Sequence, residues 1–462
     1  MRIALNVLRN IPWDAPVMVL LLFTGIWFFI RLGCFPIRYG KRIVSDVFRK
    51  KKSSGQSGIS ARQALLTALA GTIGTGNIAG VAGAIALGGP GAVFWMWISA
   101  LFGMATKYAE IVLTMETRYR DAAGTWHGGT MIAIRDRFGP IGAVLSTSFS
   151  LFTVLASFGI GNMVQMHTIA DATVHVLRSV LPMDSSVIAL VIGIVTAALI
   201  GIWTRGGARR VGSVAEKLVP LMSAAYLLAT GAVAIRYARW IPTALGEILQ
   251  AAFCPRSVLG AAAGIGLWNA VSKGIGRGVF SNEAGLGSAP LAYAASDADS
   301  SVRRGFYGVF EVFFVTMVVC TVTAFTILLP AYGNASVQIP YGTPSGAELV
   351  RAALATVFGT DIASVLLCVV LDCFALSSIL TWHLYGERCF SELFGTRARG
   401  GYRAAFLFAI PVASILRLDL VWQMAEWFNL LMTVPNLISL LLLSDVVVSA
   451  TRRYFHKPKE SA

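Results

Sequence analysis

Long apolar segments separated by short polar loops make up most of this chain. Eleven of them reach the length of about twenty residues that crosses a bilayer as a helix. They lie near residues 15–35, 61–87, 91–115, 142–175, 187–203, 213–236, 258–296, 304–330, 347–388, 404–417 and 421–450. The pattern predicts an all-α polytopic membrane protein, with one leading helix followed by ten more.

Two of these segments are interrupted by glycine and polar residues. The first interruption reads GTIGTGNIAG at residues 71–80, and the second reads FSNEAGLGSAP at residues 280–290. An unpaired backbone N–H or C=O is costly in lipid, so a broken helix is tolerated only where protein or a water-filled cavity satisfies it. A pair of such breaks therefore indicates a transport site near the middle of the bilayer.

The order of the segments predicts an inverted repeat. Without the leading helix, the ten remaining helices divide into five and five, and each half begins with a broken helix. Because five is odd, the two halves insert with opposite orientation. We expect halves at residues 61–236 and 258–450, an extra helix at residues 15–35 and a cytoplasmic tail at residues 451–462.

Basic residues predict the orientation and argue against nucleic acid as a partner. The net charge is +15, with the Lys and Arg residues placed mainly in short loops. About 25 of them fall on one side of the predicted membrane and about 8 on the other, which the positive-inside rule assigns to the cytoplasm and the exterior. We therefore expect the cytoplasmic (inner) membrane, with the amino terminus outside and the carboxyl terminus inside.

Composition and motifs exclude several other classes. Of 462 residues, 56% are hydrophobic and only 13% charged, too few to cover a soluble globule. GTGNIA at residues 74–79 fits a dinucleotide fingerprint, but no strand precedes it, and no ATP-binding loop or hydrolase motif occurs. We expect no organic cofactor and no enzyme. A channel would need a continuous polar pore, and two local breaks do not supply one.

The first break carries groups suited to a small zwitterion and a cation. The half-helix after it offers free N–H groups and a positive dipole end for a carboxylate. Unwound carbonyls, with Thr72, Thr75 and Asn77, supply the neutral oxygens that a monovalent cation prefers. The alternative is that the glycines only permit close helix packing.

The second break places Ser281, Asn282 and Glu283 at membrane depth. A carboxylate there costs about 2.5 to 3.5 kcal/mol on insertion scales, so Glu283 requires a partner. It could pair with Arg277 or Lys273 in a structural role, or it could face the substrate ammonium group or a cation.

Other polar residues lie at helical spacing in apolar segments. Asn162 and Gln165 share one face, where Gln165 could bind a small polar solute. Ser377, Ser378 and Trp382 cluster on the eighth core helix, where hydroxyls could coordinate a cation while the indole closes a cavity. The alternative for the serines is a hydrogen bond back to their own helix.

Taken together, these residues resemble the alanine/glycine:cation symporter family, also called sodium:alanine symporters, which is similar in fold to the LeuT-type superfamily. The matching blocks are residues 71–97, 161–165, 277–290, 377–387 and 431–437. The resemblance implies a LeuT-type 5+5 inverted repeat with discontinuous first and sixth core helices. It also implies uptake of alanine, glycine or a similar small amino acid coupled to Na+, or less often to H+. A carrier of another small solute on the same fold is the alternative.

The resemblance also implies a set of site residues. One sodium site would use the Thr72 carbonyl, Asn77 and Ser281, together with the substrate carboxylate. A second would use the carbonyls of Ala70, Ile73 and Phe374 with the hydroxyls of Ser377 and Ser378. The substrate would touch Thr75, Gly76, Gln165, Phe280, Gly285 and Trp382. Two positions depart from the family pattern, because Val315 stands where many members carry aspartate and Ser378 stands where threonine is usual.

Overall fold

The structure is a computed structural model that describes residues 14–49, 59–122, 126–178, 180–253, 263–297, 300–333, 337–343, 345–416 and 418–456. Nearly all of these residues are helical. The predicted start of the second half at residue 258 and the last part of the predicted tail, residues 457–462, lie outside the described ranges.

The amino-terminal part and the first half follow the predicted segments closely. The elements are α1 (Asp14–Arg31), α2 (Phe35–Arg38), α3 (Gly40–Phe48), α4 (Ala61–Thr72), α5 (Ala79–Gly88), α6 (Gly91–Thr117), β1 (Tyr119–Arg120), β2 (Trp126–His127), α7 (Thr130–Arg135), α8 (Gly139–Phe158), α9 (Val164–Leu177), α10 (Ser185–Thr204) and α11 (Gly207–Arg236). A π-helical turn, Gly159–Met163, joins α8 to α9 as one 39-residue apolar helix. The strands β1 and β2 form a small antiparallel hairpin.

A further series of helices follows, the first of them between the two predicted halves and the others in the second half. They are α12 (Ile241–Phe253), α13 (Ala263–Asn282), α14 (Ala289–Tyr293), α15 (Ser301–Val312), α16 (Thr321–Gly333), α17 (Ala347–Phe358), α18 (Thr360–Phe394), α19 (Arg399–Ile415), α20 (Leu418–Leu442) and α21 (Ser444–His456). A π-helical segment, Phe313–Cys320, makes α15 and α16 one continuous span of 33 residues.

Each predicted apolar segment contains a helix, but some bounds differ. The segment 347–388 is two helices, because Gly359 takes φ 79°, a left-handed conformation that ends α17. The segment 421–450 is bent by 57° between α20 and α21. Helix α12, between the two halves, was not predicted. By length and apolarity, five helices of the described ranges could each cross a membrane, or up to seven spans if the bent pairs count as one each. Eleven crossings therefore remain a prediction.

Both predicted breaks occur, and they pack against each other at the centre of the molecule. The first separates α4 from α5, which are bent by 65°. The second separates α13 from α14. Helix α5 packs on α13, α14 packs on α4, and α4 also packs on α11 and α18. The two interruptions thus face a common region rather than separate parts of the bundle.

Candidate functional site

The side chain of Asn77 stabilises the first break. Helix α4 ends at Thr72, a 3-10 turn covers Thr75–Asn77, and α5 begins at Ala79. The amide nitrogen of Asn77 donates to the carbonyl oxygen of Thr72 at 2.8 Å and to that of Gly74 at 3.4 Å. Asn77 therefore satisfies carbonyls that the broken helix leaves without intrahelical donors.

The second break meets the first through a direct side-chain contact. The hydroxyl of Ser281, near the end of α13, donates to the Oδ1 atom of Asn77. The Sγ atom of Cys320 lies 3.0 Å from the same hydroxyl. The structure therefore brings together Thr72, Asn77 and Ser281, the three residues predicted for the first sodium site, and it adds Cys320, which the sequence analysis did not identify.

A second group of oxygens lies between α4 and α18. The hydroxyl of Ser377 donates to the carbonyl of Ala70 at 3.1 Å and to that of Phe374 at 2.8 Å. The hydroxyl of Ser378 lies 3.3 Å from the Ala70 carbonyl. Four of the five residues predicted for the second sodium site are thus in mutual contact. Ile73 follows α4 as its C-cap, and its N–H donates to the carbonyl of Leu69.

The two groups have the chemistry that fits Na+. Apart from the Cys320 thiol and the amide nitrogen of Asn77, their polar atoms are carbonyl, amide and hydroxyl oxygens, the hard neutral ligands found at cation sites in discontinuous membrane helices. Asn77, Ser281, Ser377 and Ser378 are each at most 1% exposed. A cation entering either group would replace hydrogen bonds between neighbouring side chains with direct coordination.

Two buried oxygens beside the first break have no hydrogen-bond partner within the described residues. They are the hydroxyl of Thr75 and the Oε1 atom of Gln165. The amide of Gln165 lies close to the first break, since its Nε2 and Oε1 would each be 3.7 Å from a Cβ added at Gly74. Both atoms are therefore available to form a hydrogen bond with a small polar solute bound at the break.

Aromatic side chains limit the space around this pair. A Cβ added at Gly76 would lie 3.0 Å from the ring of Phe280. One added at Gly161 would overlap the Cβ of Trp382, so the π-helical turn and α18 can approach only because residue 161 is glycine. Thr75, Gly76, Gln165 and Phe280 therefore surround the break, and Trp382 lies against the same turn.

Gly285 does not lie with the other predicted substrate contacts. A Cβ at this position would meet Leu21 of α1 and Leu437 of α20, and the carbonyl of Gly285 accepts a hydrogen bond from Asn436 at 2.8 Å. Its φ of 96° shows that glycine is needed there for the backbone turn.

Neither basic residue suggested for Glu283 is its partner. The Oε1 atom of Glu283 accepts from the indole of Trp382 at 3.2 Å, and its Oε2 atom accepts from Ser288 at 2.5 Å. Arg277 instead lies 3.8 Å from Glu426, and Lys273 is exposed. The backbone turns at Glu283, where φ is 52°, and the carboxylate contacts Trp382 of α18, so the suggested pairing with Arg277 or Lys273 is not formed.

The sequence analysis also missed a buried charged group behind the second break. Lys107 and Glu110 of α6 and Glu311 of α15 are each at most 2% exposed. The Nζ atom of Lys107 lies 3.4 Å from Glu311 and donates to the carbonyl of Glu283 at 3.1 Å. The sequence signal for this group was weak. Lys107 and Glu110 are three residues apart in an apolar segment, which places both charges on one face of the helix.

The region beyond the first break is open at one end and closed at the other. A cavity of about 570 Å³ extends along α5, away from α4. Its lining includes Gly80, Gly83, His167, Asp171, Arg277 and Glu348. At the opposite end, the N–H of Ile59 donates to Ala295 at 3.1 Å, and the N–H of Asp297 donates to Ile59 at 3.0 Å. The chain before α4 is thereby joined to the chain after α14.

Comparison with known proteins fits this arrangement. The sequence model of the sodium:alanine symporter family matches residues 1–462. The chain belongs to the sodium:alanine symporter family. This family member is 40% identical over 461 residues to the sodium/alanine symporter AgcS of Methanococcus maripaludis, covering 99% of this chain and 98% of that protein. It is 34% identical to the amino-acid carrier protein AlsT of Bacillus subtilis, covering 98% of this chain and 93% of that protein.

A solved structure shows the same fold. It is the substrate-bound outward-open state of a Na+-coupled sialic acid symporter, at a TM-score of 0.51 and 15% identity, covering 95% of this chain and 84% of that chain. The predicted LeuT-type fold is confirmed. This sodium:alanine symporter family member is a multi-pass membrane transporter of the sodium-coupled amino-acid symporter class, and it is not an enzyme.

Proposed function

We propose that the protein takes up small neutral amino acids, alanine and glycine first among them, together with Na+ by alternating access. The observation that carries this proposal is the meeting of the two breaks. Asn77 and Ser281 join them directly, and the free oxygens of Thr75 and Gln165 lie beside that contact. The membership of the family supports the same substrate class.

The binding of a zwitterion follows from the polarity of the first break. Its carboxylate would sit at the N-terminal end of α5, where free N–H groups and the helix dipole favour negative charge. The carboxylate would then lie beside Asn77 and Ser281 and complete the coordination of a cation there. Sodium and amino acid would each improve the site for the other, because the coupling free energy between two linked binding sites is reciprocal.

The close approach of Phe280 to Gly76 supports selection for a small side chain. A ring carbon of Phe280 is already 3.0 Å from the position of a Cβ at residue 76. Protein interiors accommodate extra methylene groups poorly, so a bulky amino acid would have to displace this ring. We expect glutamine, the substrate named for a 33%-identical Bacillus subtilis relative described as a probable sodium/glutamine symporter, to compete less well than alanine.

Transport requires the closed end of the molecule to open while the cavity end closes. Each ligand favours the state in which its oxygen partners converge, so binding shifts the population toward that state. One charge moving through 100 mV supplies about 2.3 kcal/mol, which alone supports about a 40-fold accumulation. An electrogenic symporter of this design could therefore concentrate its substrate.

The test is uptake of labelled alanine and glycine by proteoliposomes containing the purified protein, with an imposed Na+ gradient, an imposed H+ gradient, or neither. We expect the Na+ gradient to drive both amino acids and unlabelled glutamine to compete weakly. Vesicles without protein provide the background. Failure of both gradients to drive either amino acid would contradict the proposal.

A further inference from the structure

The buried charges behind the second break do not balance. Three carboxylates, Glu110, Glu283 and Glu311, lie with one ammonium group, that of Lys107, and we call these four residues the carboxylate cluster. All four are at most 6% exposed. A second basic residue nearby, Arg388, is engaged with the carbonyl of Leu291 on α14. Fully ionised, the cluster would hold excess negative charge in a medium that solvates ions poorly.

Most of the carboxylate oxygens are already occupied. Glu283 accepts from Trp382 and Ser288. Glu311 accepts from Tyr293 at 3.2 Å through one oxygen and faces Lys107 through the other. The Oε1 atom of Glu110 accepts from the N–H of Gly287 at 2.9 Å and from Asn436 at 2.6 Å. Four of the six oxygens therefore accept a hydrogen bond, and a fifth, Oε1 of Glu311, has the ion-pair contact with Lys107.

Three polar atoms at the cluster are buried and have no hydrogen-bond partner among the described residues: Oε2 of Glu110, Oε1 of Glu311 and the hydroxyl of Tyr385. Of these, Oε1 of Glu311 faces the ammonium group of Lys107 at 3.4 Å, whereas Oε2 of Glu110 has no such ion-pair contact. Tyr385 is fully buried on α18, within electrostatic range of Glu283 and Glu311. Its hydroxyl would also lie 3.4 Å from a Cβ added at Gly71, so it stands between the first break and the cluster.

A proton fits this site better than a metal ion. A hard cation would need several free oxygens converging on one point, whereas the cluster leaves one carboxylate oxygen free. No group of three or more acidic, histidine or cysteine side chains in the described ranges is arranged to hold a metal. A proton on Glu110 needs no coordination shell and removes one of the uncompensated charges.

We propose that Glu110 carries a bound proton in this state and exchanges it during the transport cycle, at a site separate from the two sodium sites. The groups that face Glu110 are Lys107 on its own helix, Glu311 on α15, Gly287 in the break and Asn436 on α20. Behind them, Lys107 donates to the carbonyl of Glu283, Tyr293 of α14 donates to Glu311, and Tyr385 of α18 lies within electrostatic range of Glu283 and Glu311.

The hydrogen bonds of Glu110 explain why its proton would be exchanged during the transport cycle. Its carboxylate accepts from Gly287 inside the second break, and Asn436 bridges it to the carbonyl of Gly285. Helix α14 begins two residues later and continues into the segment that closes one end of the molecule. When that end opens, α14 must move, Glu110 loses the Gly287 donor, and its affinity for a proton changes in the new surroundings.

The transport test measures the pH of the proteoliposome lumen with a pH-sensitive dye while a Na+ gradient is imposed. This test rests on the proposed uptake of alanine. We expect alanine to acidify the lumen in the wild type and in Glu116→Gln, a control on the same helix whose carboxylate is paired with Arg453. Glu110→Gln keeps an oxygen acceptor for Gly287 and Asn436, and we expect it to lose the acidification. Uptake of labelled alanine without acidification in the wild type would overturn the proton proposal and leave the proposed function intact.

A second measurement does not depend on uptake. Above about pH 5, a glutamate in an unfolded chain is ionised, so a folded protein that keeps a proton on Glu110 binds more protons than the unfolded chain. Its stability must then fall as the pH rises. We expect the melting temperature of the detergent-solubilised wild type to fall between about pH 5 and about pH 9, Glu116→Gln to match it, and Glu110→Gln to show a shallower decline. Equal slopes in all three proteins would overturn the proposal.

Discussion

At the scale of single residues, Asn77 connects the groups that we assign to the first sodium site. It holds two carbonyls of the first break through its amide nitrogen and meets Ser281 of the second break through its oxygen. A residue that positions two breaks at once should affect the cation more than the amino acid, because the carbonyls it orders are the cation's expected ligands.

We therefore predict that Asn77→Ala raises the Na+ concentration for half-maximal alanine uptake by about tenfold, equivalent to about 1.4 kcal/mol of binding energy. The measurement is a Na+ titration of uptake in proteoliposomes at fixed alanine. Asn269→Ala, at a partly exposed position of α13, is the matched control and should behave as the wild type. A well-folded Asn77→Ala protein with unchanged Na+ dependence would remove Asn77 from the cation site.

Gln165 should act on the amino acid instead. Its Oε1 atom is buried without a partner, and its Nε2 atom donates to the carbonyl of Ile160 at 3.2 Å. Loss of one hydrogen bond to the substrate costs about 0.5 to 1.5 kcal/mol.

Accordingly, we predict that Gln165→Ala raises the KM for alanine by about 2- to 10-fold, with little change in Na+ dependence. Initial rates of uptake across a range of alanine concentrations, at saturating Na+, measure the effect. The opposite pattern, a shifted Na+ dependence with an unchanged KM, would exchange the roles assigned to Gln165 and Asn77.

At the scale of elements, a guanidinium group links α6 to the chain segment that closes the end of the molecule opposite the cavity. Arg118 follows α6 and donates to the carbonyl of Ala294 at 3.0 Å and to that of Ser296 at 2.5 Å. It also lies over the ring of Trp126, 3.8 Å from the centroid. Burial lowers the pKa of Arg118 to about 10, so the group stays charged at neutral pH. Hydrogen bonds from a charged donor contribute about 1.5 to 3 kcal/mol each.

Removal of this group should favour opening at that end. In a background without reactive native cysteines, we predict that Arg118→Ala increases the labelling rate of a cysteine placed at Ser296 by about tenfold or more, because each 1.4 kcal/mol shifts a two-state population tenfold. The rate of maleimide labelling in inside-out vesicles is the measurement, and Arg137→Ala, at an exposed position, is the control. An unchanged labelling rate would show that the backbone pairing at Ile59 holds the end closed without Arg118.

The positions of the broken helices could be predicted from the sequence, but several side-chain contacts around them could not. Clustered glycines and amides weaken a helix that crosses lipid and are tolerated where the helix is broken inside protein, so residues 71–80 and 280–290 could be located without coordinates. Ser377 and Ser378 could be grouped because they are consecutive polar residues within one apolar segment. The contact of Glu283 with Trp382, 99 residues away, could not be predicted, because it depends on the left-handed turn at Glu283.

At the scale of the whole molecule, the cavity and the closed end are arranged as expected for one state of an alternating-access carrier. The cavity borders α5 and the far side of the first break, while the Ile59 pairing seals the side where α4 begins. Basic loops predict that the sealed side faces the cytoplasm. With that orientation, the cavity would open to the exterior.

The orientation can be tested at one native side chain. Cys34 is exposed and follows α1, whereas Cys320, Cys368 and Cys389 are buried. If the amino terminus is outside and α1 crosses the membrane, Cys34 lies in the cytoplasm. We predict that a membrane-impermeant maleimide labels Cys34 in inside-out vesicles and not in intact cells.

Cys34→Ser is the control for this labelling, since it removes the predicted target and leaves the other thiols in place. Loss of the vesicle signal in that variant would assign the label to Cys34. Labelling of Cys34 in intact cells would reverse the orientation of the whole chain, because the order of the helices fixes every later loop relative to the first. The cavity would then face the cytoplasm, and the arrangement would be that of an inward-open carrier.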